Sequence, residues 1–303
     1  MAKEAIYFFR RISSMAPQIS ILLASYNHQD YITECIESIV SQNHENLELI
    51  VIDDGSTDNS PVILRNLQPR YGFKLICREN RGLIATYNEL FSLSGGEYIS
   101  TFASDDRMFE GRITRQIKYL ESHPEMAAVC GLPCFIDNNG NNLPGAQERH
   151  HTTDREIFFE DIFTGKSSIH ATTVMMRREV LEHFKGWDQR YAVEDFPLWL
   201  KMLSGGYRIH YSKTPFSYYR LHGKNLHCNV SFMFSEVLKI LGDYKSHPLY
   251  KRAVRAYKTI WFSELAYTDK PQALKRFSHL AVPTLAFWLR VPKLFIPQRF
   301  LKW

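Results

Sequence analysis

Two carboxylates stand side by side in F-A-S-D-D, where Asp105 and Asp106 follow the apolar run E-Y-I-S-T-F. Adjacent like charges resist ionising together unless something positive compensates them. One reading is a solvated strand-to-helix turn in which Asp106 helps to cap the next helix. The other is a divalent-metal site, because Mg2+ and Mn2+ take oxygen ligands from one or two carboxylates plus phosphates. A second acidic pair, Glu194-Asp195, lies in Y-A-V-E-D-F-P-L-W-L. There, charge matching at a helix start competes with service as a general base.

These groups need elements to hold them, and the hydrophobic pattern supplies the elements. From Ile19 onward, short apolar runs (I-S-I-L-L-A, L-E-L-I-V-I, F-K-L-I-C, G-E-Y-I-S-T-F) alternate with amphipathic segments. In D-Y-I-T-E-C-I-E-S-I-V-S-Q, the residues Ile32, Cys35, Ile36, Ile39 and Val40 share one helical face. Ser60 and Pro61 mark the start of another helix. Such alternation predicts βαβ units and a mostly parallel sheet, whose ligands bind at the carboxyl ends of the strands. Four consecutive strand ends carry polar groups: Ser25-Tyr26-Asn27, Asp53 to Asp58, Glu79 to Gly82, and Ser104-Asp105-Asp106. Further on, A-T-T-V-M-M-R reads as a strand, R-E-V-L-E-H-F as a helix, and Y-R-I-H-Y and P-F-S-Y-Y-R-L-H as two strands. Beyond about Ser231 the pattern is helical, and no repeats or low-complexity tracts interrupt it.

The 303 residues, 45% hydrophobic and 23% charged, suit a globular enzyme-sized domain with an appendage. Net charge is +5, yet residues 250–303 hold eleven Lys and Arg against Glu264 and Asp269. A basic tail suggests an anionic partner, a membrane surface or a nucleic acid being the usual ones. Five cysteines, with Cys35 and Cys77 in apolar patterns, suit a reduced cytosolic protein. Cys130 and Cys134 lack the further Cys or His pair of a zinc site. No secretory signal is evident, and the apolar window Leu280 to Leu289 is interrupted by Pro283 and ended by Arg290, too short to span a bilayer. The segment from His279 to Trp303 interleaves aromatics and aliphatics with Arg290, Lys293, Arg299 and Lys302 and contains no acid. That composition suits a membrane interface; a terminal helix packed on the domain is the competing reading.

Taken in order, S-Y-N-H-Q-D-Y-I, E-L-I-V-I-D-D-G-S-T-D-N-S, E-N-R-G-L-I-A-T-Y-N, S-D-D and W-D-Q-R-Y-A-V-E-D resemble an inverting family 2 glycosyltransferase of the GT-A fold. The resemblance covers roughly Pro17 to His222. It implies a GT-A domain over 17–228, Rossmann-like with a mostly parallel sheet, preceded by a helical extension over 1–16 and followed by a helical, basic appendage over 229–303. It also implies transfer of a sugar from a nucleotide-sugar, a UDP-sugar most often, with Mg2+ or Mn2+ on the diphosphate. Ser25 and Tyr26 match the nucleotide pocket, Asp54 the carboxylate that reads the base, with Asp53 supporting the loop, and Arg81 a base- or phosphate-contacting arginine. Asp106 matches the metal ligand and Asp105 a ribose or water-mediated contact; relatives often carry another Asp where this chain has Ala103. Asp195 matches the general base, with Glu194 orienting the acceptor or the loop.

His222 resembles a histidine presented to the metal or diphosphate, and Arg220 and Lys224 stand near it in sequence, placed to neutralise the leaving group. His170 is a weaker candidate for the sugar or acceptor, and Trp187 for an acceptor platform or for the core. The expected acceptor is a glycan or lipid-linked glycan of a surface polysaccharide. The expected location is cytoplasmic, peripheral at the inner face of the plasma membrane through residues 275–303, with no nucleic-acid partner. Two other functions compete. A sugar nucleotidyltransferase would open with a Gly-rich basic loop, which S-Y-N-H-Q-D is not. A catalytically silent glycan-binding module would bind donor without turnover.

Overall fold

The computed structural model describes residues 18–143, 153–223 and 229–296. The expected N-terminal extension over 1–16 lies outside them, as do Lys224 and Cys228. The described chain forms two compact units. Residues 18–157 and 169–221 make the first, and 158–168 joins 222–296 in the second. Residues 158–168 thus cluster with the C-terminal helices, although in sequence they fall inside the first domain.

The first unit begins with the predicted alternation: β1 (Ile19–Ser25), α1 (Ile32–Val40), β2 (Leu47–Asp54), α2 (Ser60–Tyr71), β3 (Lys74–Arg78), α3 (Leu83–Leu93) and β4 (Tyr98–Ala103). It continues through β5 (Arg107–Met108), α4 (Arg112–Ser122), β6 (Met126–Ile136) and β7 (Arg155–Ile157). In the second unit, α5 is Phe159–Phe163. Back in the first come a short 3-10 turn (Ala171–Thr173), β8 (Met175–Arg177), α6 (Arg178–Phe184), α7 (Asp195–Ser204) and β9 (Arg208–Arg220). Among the described residues the strands form one sheet in the order β3-β2-β1-β4-β8-β6-β9-β5, with β7 also paired to β9.

β3, β2, β1 and β4 run parallel, with Ser25 level with Asp53, Ala24 with Ala103 and Asp54 with Arg78. This register lines up the carboxyl ends of four strands, as right-handed βαβ connections require. β8 is antiparallel to β4, so its entry turn lies beside the end of β4 rather than its start. The same edge therefore receives residues from a fifth element. Burial explains why these runs are strands: Ile19, Ile21, Leu23, Val51 and Phe102 pack with Ile32, Cys35, Ile36 and Ile39 of α1 in one apolar core.

Two sequence expectations change. A-T-T-V-M-M-R is a 3-10 turn followed by a three-residue strand, because Arg112 and Gln116 capture the carbonyls that a longer strand would need for pairing. Y-R-I-H-Y and P-F-S-Y-Y-R are one bulged strand, β9, whose register against β6 shifts beside Gly131, Leu132 and Pro133. Proline cannot donate to a ladder, and a bulge is where a strand tolerates it.

The second unit holds α8 (Val230–Gly242), α9 (Tyr250–Thr268), α10 (Lys270–Lys275), α11 (Phe277–Leu280) and α12 (Leu285–Trp288). Its own core gathers Phe234, Phe262, Leu265, Leu280 and Phe287. The apolar C-terminal stretch is thus a series of short turns, interrupted at Pro283 and continued by a 3-10 turn (Val291–Leu294) that Pro292 helps to open. No described helix is long and apolar enough to cross a membrane.

Candidate active site

The β2 end shows why the two aspartates of D-D-G-S differ. Asp53 turns back on its own loop and accepts from the Ser56 amide (2.9 Å) and hydroxyl (2.7 Å). Asp54 reaches the neighbouring loop after β3, where it accepts from the amides of Arg81 (2.8 Å) and Gly82 (2.9 Å) and pairs with the Arg78 guanidinium. The two loops touch at Gly55: its φ is +77°, and a Cβ there would lie 2.6 Å from the Asn80 amide nitrogen. Only glycine combines that backbone with that approach.

Ser25 is buried at the end of β1, its hydroxyl without a hydrogen-bond partner, while Tyr26 is 48% exposed beside it. The Arg81 side chain is exposed, 3.7 Å from Glu89.

At the end of β4 the capping reading of Asp106 is overturned. β5 intervenes, and α4 opens at Arg112 behind Gly111. Asp106 is instead buried, accepting from the Arg220 amide (2.9 Å) through Oδ1, while its Oδ2 makes no hydrogen bond. Burial pushes its carboxyl well above the ordinary range, and the charge of Asp105 pushes it further. The carboxylate of Asp105 faces His28, with Oδ2 3.8 Å from the imidazole Nε2. His28 escaped sequence reasoning although S-Y-N-H-Q-D carried it, because nothing local says where an imidazole beyond a strand end will point.

Arg220 does not fulfil its expected role toward a leaving group. Its side chain is 1% exposed and spent on the protein: Nε donates to the Asp105 carbonyl (2.8 Å), and the terminal nitrogens to the carbonyls of Asp137 and Asn138 and to Glu34 (2.5 Å). Arg112 is a second buried arginine, and no sequence signal marked it. It donates to the carbonyls of Thr172 (2.5 Å) and Val174 (3.0 Å), to Ser100 and to Gln116. Burial lowers its pKa to about 9.

Glu194 and Asp195 open α7, and the Asp195 carboxylate accepts from the Phe196 amide (2.5 Å). Both residues are half-buried, with protein dense around their carboxyl groups. Desolvation raises both pKa values, Glu194 to about 8 with the charge of Asp195 as second cause. Two phenols join this pair to the one on β4. Burial raises Tyr87 on α3, followed by the charges of Glu194, Asp105 and Asp106. Tyr219 on β9 is raised by burial and then by Asp106, Asp105, Asp195 and Glu194. All four carboxyls therefore act within one poorly screened region.

Around it, the rings of Phe135 and Tyr219 lie edge-on to His170 at 5.7 and 5.4 Å. Trp187 is core: 4% exposed, 5.4 Å from the Tyr87 ring, with its amide held by Asn88. His222 belongs to the second unit and stands two residues beyond the end of β9 in sequence.

The family model described as glycosyl transferase family 2 matches residues 20–184. A Bacillus subtilis (strain 168) protein that carries the name glycosyltransferase EpsE is 31% identical over 198 residues, 63% of this chain and 69% of that protein. The Escherichia coli UDP-Glc:alpha-D-GlcNAc-diphosphoundecaprenol beta-1,3-glucosyltransferase WfaP is 26% identical over 263 residues, 84% of this chain and 99% of its own. Among solved structures, the mannosyltransferase PcManGT of Pyrobaculum calidifontis, in complex with GDP-Man and Mn2+, superposes with a TM-score of 0.61 at 16% identity. That superposition covers 99% of this chain and 96% of PcManGT, so the fold is the GT-A fold.

Proposed function

Because this protein belongs to glycosyl transferase family 2, we propose that it moves one sugar from a UDP-sugar to a lipid-linked glycan with inversion at the anomeric carbon. The observation that carries this reading is that both acidic pairs, Asp105-Asp106 and Glu194-Asp195, act on the half-buried Tyr219 phenol, and three of the four carboxyls act on the buried Tyr87 as well. One pair suits a diphosphate's cation; the other suits a hydroxyl's proton.

Ser25, Tyr26, Asp54 and Arg81 are proposed to hold the nucleotide. Asp54 reaches the base through the loop it organises, and the exposed Tyr26 ring offers a stacking surface. The residues present fit a divalent cation: Asp106 keeps a buried oxygen without a partner, and the carboxylate of Asp105 faces an imidazole. Asp106 and His222 are proposed as ligands, with Asp105 beside them on the ribose or on water. A bound Mg2+ or Mn2+ supplies Lewis acidity to the departing diphosphate. The protein's own part is proton transfer and orientation. Inversion needs direct attack from the face opposite the leaving group, and the attacking hydroxyl must lose its proton as it bonds. Asp195 takes that proton; its raised pKa makes it a stronger base than an ordinary aspartate. Glu194 keeps its proton near neutral pH and orients the acceptor by donating from it.

A thermal-shift series with UDP-sugars, GDP-sugars and sugar-free nucleotides, with and without Mn2+, tests the donor. A native-state ligand raises the melting temperature with its affinity and concentration. One UDP-sugar should stand out, and only with metal. A series in which no nucleotide-sugar stabilises the protein defeats the reading; stabilisation without turnover would favour the silent module.

The acceptor half of the proposal rests on WfaP, whose name specifies a diphosphoundecaprenol acceptor, and on the second unit. There Leu285 (75% exposed), Leu289 (68%) and Phe295 (78%) stand in the open close in sequence to Arg290 and Lys293. Exposed apolar groups flanked by cations suit the boundary between acyl chains and anionic head groups. The site of action is accordingly proposed at the cytoplasmic face of the membrane, with contact through 275–303. Changing Arg290 and Lys293 to Glu should release the protein from anionic liposomes in a sedimentation assay, at about 1 kcal/mol per lost cation. Unaltered co-sedimentation would discard the membrane contact.

A further inference from the structure

We propose that His28 is a direct ligand of the divalent cation and that its imidazole makes the site prefer Mn2+ to Mg2+. This rests on the transferase reading and extends it to a residue outside the two acidic pairs.

The chain delivers His28 to the place with little freedom. β1 stops at Ser25, and Asn27 adopts a left-handed backbone with φ of 56°. The loop after β2 pins that turn. Ser56 Oγ accepts from the Asn27 amide (2.8 Å), Asn27 Oδ1 accepts from the Thr57 amide (2.8 Å), and Ser60 Oγ accepts from the His28 amide (3.0 Å). The imidazole is thereby sent across the sheet edge to the end of β4. There Nδ1 lies 2.7 Å from the buried Ser104 hydroxyl, and Nε2 faces Asp105 Oδ2 at 3.8 Å.

That second distance is too long for a hydrogen bond. Two ligand atoms each about 2.1 Å from one ion can stand at most about 4.2 Å apart, so His28 Nε2 and Asp105 Oδ2 are close enough to share a cation, which makes Asp105 a direct ligand in place of its ribose or water contact. Ser104 does for the imidazole what outer partners do for metal-bound histidines: accepting from Nδ1–H, it sets the tautomer that leaves a lone pair on Nε2 and fixes the ring. A nitrogen ligand also discriminates. Mg2+ holds to oxygen and near-ideal octahedral geometry, whereas transition ions accept imidazole. Each imidazole in the ligand set strengthens that preference, and His28 adds to what His222 supplies.

The test compares wild type, His28→Ala and Ser104→Ala, all full length and checked by thermal melting. Mn2+ and Mg2+ are titrated calorimetrically with and without UDP, and pulsed EPR of the Mn2+-loaded proteins reads nitrogen coupling. Loss of Ser104 should weaken Mn2+ binding by about 10–100-fold, the usual cost of an outer partner, and loss of His28 by at least as much. In both, Mg2+ binding should change far less, and the nitrogen coupling should diminish in His28→Ala. The Ser104 variant keeps the ring and adds no bulk, so it speaks even where His28→Ala misfolds. Wild-type binding of Mn2+ and UDP with an unchanged Mn2+-to-Mg2+ ratio in both variants overturns the assignment and makes His28 an ion-pair partner of Asp105. A wild-type protein that binds neither Mn2+ nor UDP defeats the transferase reading and this proposal with it.

Discussion

Sugar transfer should fall by about a hundred- to ten-thousand-fold when Asp195 becomes Asn, the range a positioned general base supplies, while metal-dependent donor binding stays intact. Single-turnover transfer and donor-induced thermal shift, measured on the same preparation, separate the two effects. The Asn side chain still accepts from the Phe196 amide, so the start of α7 survives the change. Near-normal transfer by this variant would move the base elsewhere. The pH profile adds a second readout, because the wild-type rate should rise as Asp195 gives up its proton and that limb should vanish in the variant. Stability should move the other way. Glu194 titrates near 4.5 when unfolded and at about 8 in the fold. Between those values the folded state holds the extra proton, so stability falls as pH rises through the window. Glu194→Gln should flatten that fall in the melting temperature.

The second large effect belongs to Arg220. Arg220→Met should destabilise the fold mainly through the carbonyls it leaves without a donor, at about 1–3 kcal/mol for a buried acceptor, because Glu34 is 42% exposed and stays paired with Arg107. Its loss strands the carbonyls of Asp105, Asp137 and Asn138 and half of the pairing of Glu34. Denaturant unfolding reads the cost directly. A residue that merely met the leaving diphosphate would lower turnover and leave the unfolding midpoint in place; that outcome would restore the role expected from its neighbourhood with His222. Arg220 shows why spacing alone misassigns such residues. In Y-Y-R-L-H-G-K-N it reads as one of a cluster of cations, yet β9 turns its side chain inward beneath the end of β4, where backbone carbonyls need a donor.

Several features were decided by the order of residues alone. Alternating apolar runs and amphipathic helices specify β1 to β4 with their intervening helices, since side-chain periodicity fixes which face is buried. Parallel pairing then carries Ser25, Asp54 and Asp105 to one edge whatever the loops do. Local chemistry likewise separates Asp53 from Asp54: the first bonds three residues along its own chain, and the second must reach another strand.

What the pattern left open was everything that depends on elements distant in sequence. Arg112 lies on an amphipathic helix where a cation reads as solvated, and only the packing of α4 against β4 and the 3-10 turn gives its guanidinium four acceptors in the interior. The antiparallel insertion of β8, the merging of two expected strands into β9 and the approach of Glu194-Asp195 to Asp105-Asp106 are likewise long-range. His28 belongs with them. Its identity was in plain view at position 28, but its direction comes from hydrogen bonds to Ser56, Thr57, Ser60 and Ser104, residues 28 to 76 positions away along the chain. Periodicity determines which side of an element faces inward; which groups meet there is settled by packing between elements, where burial makes each unpaired polar atom expensive enough to select its partner.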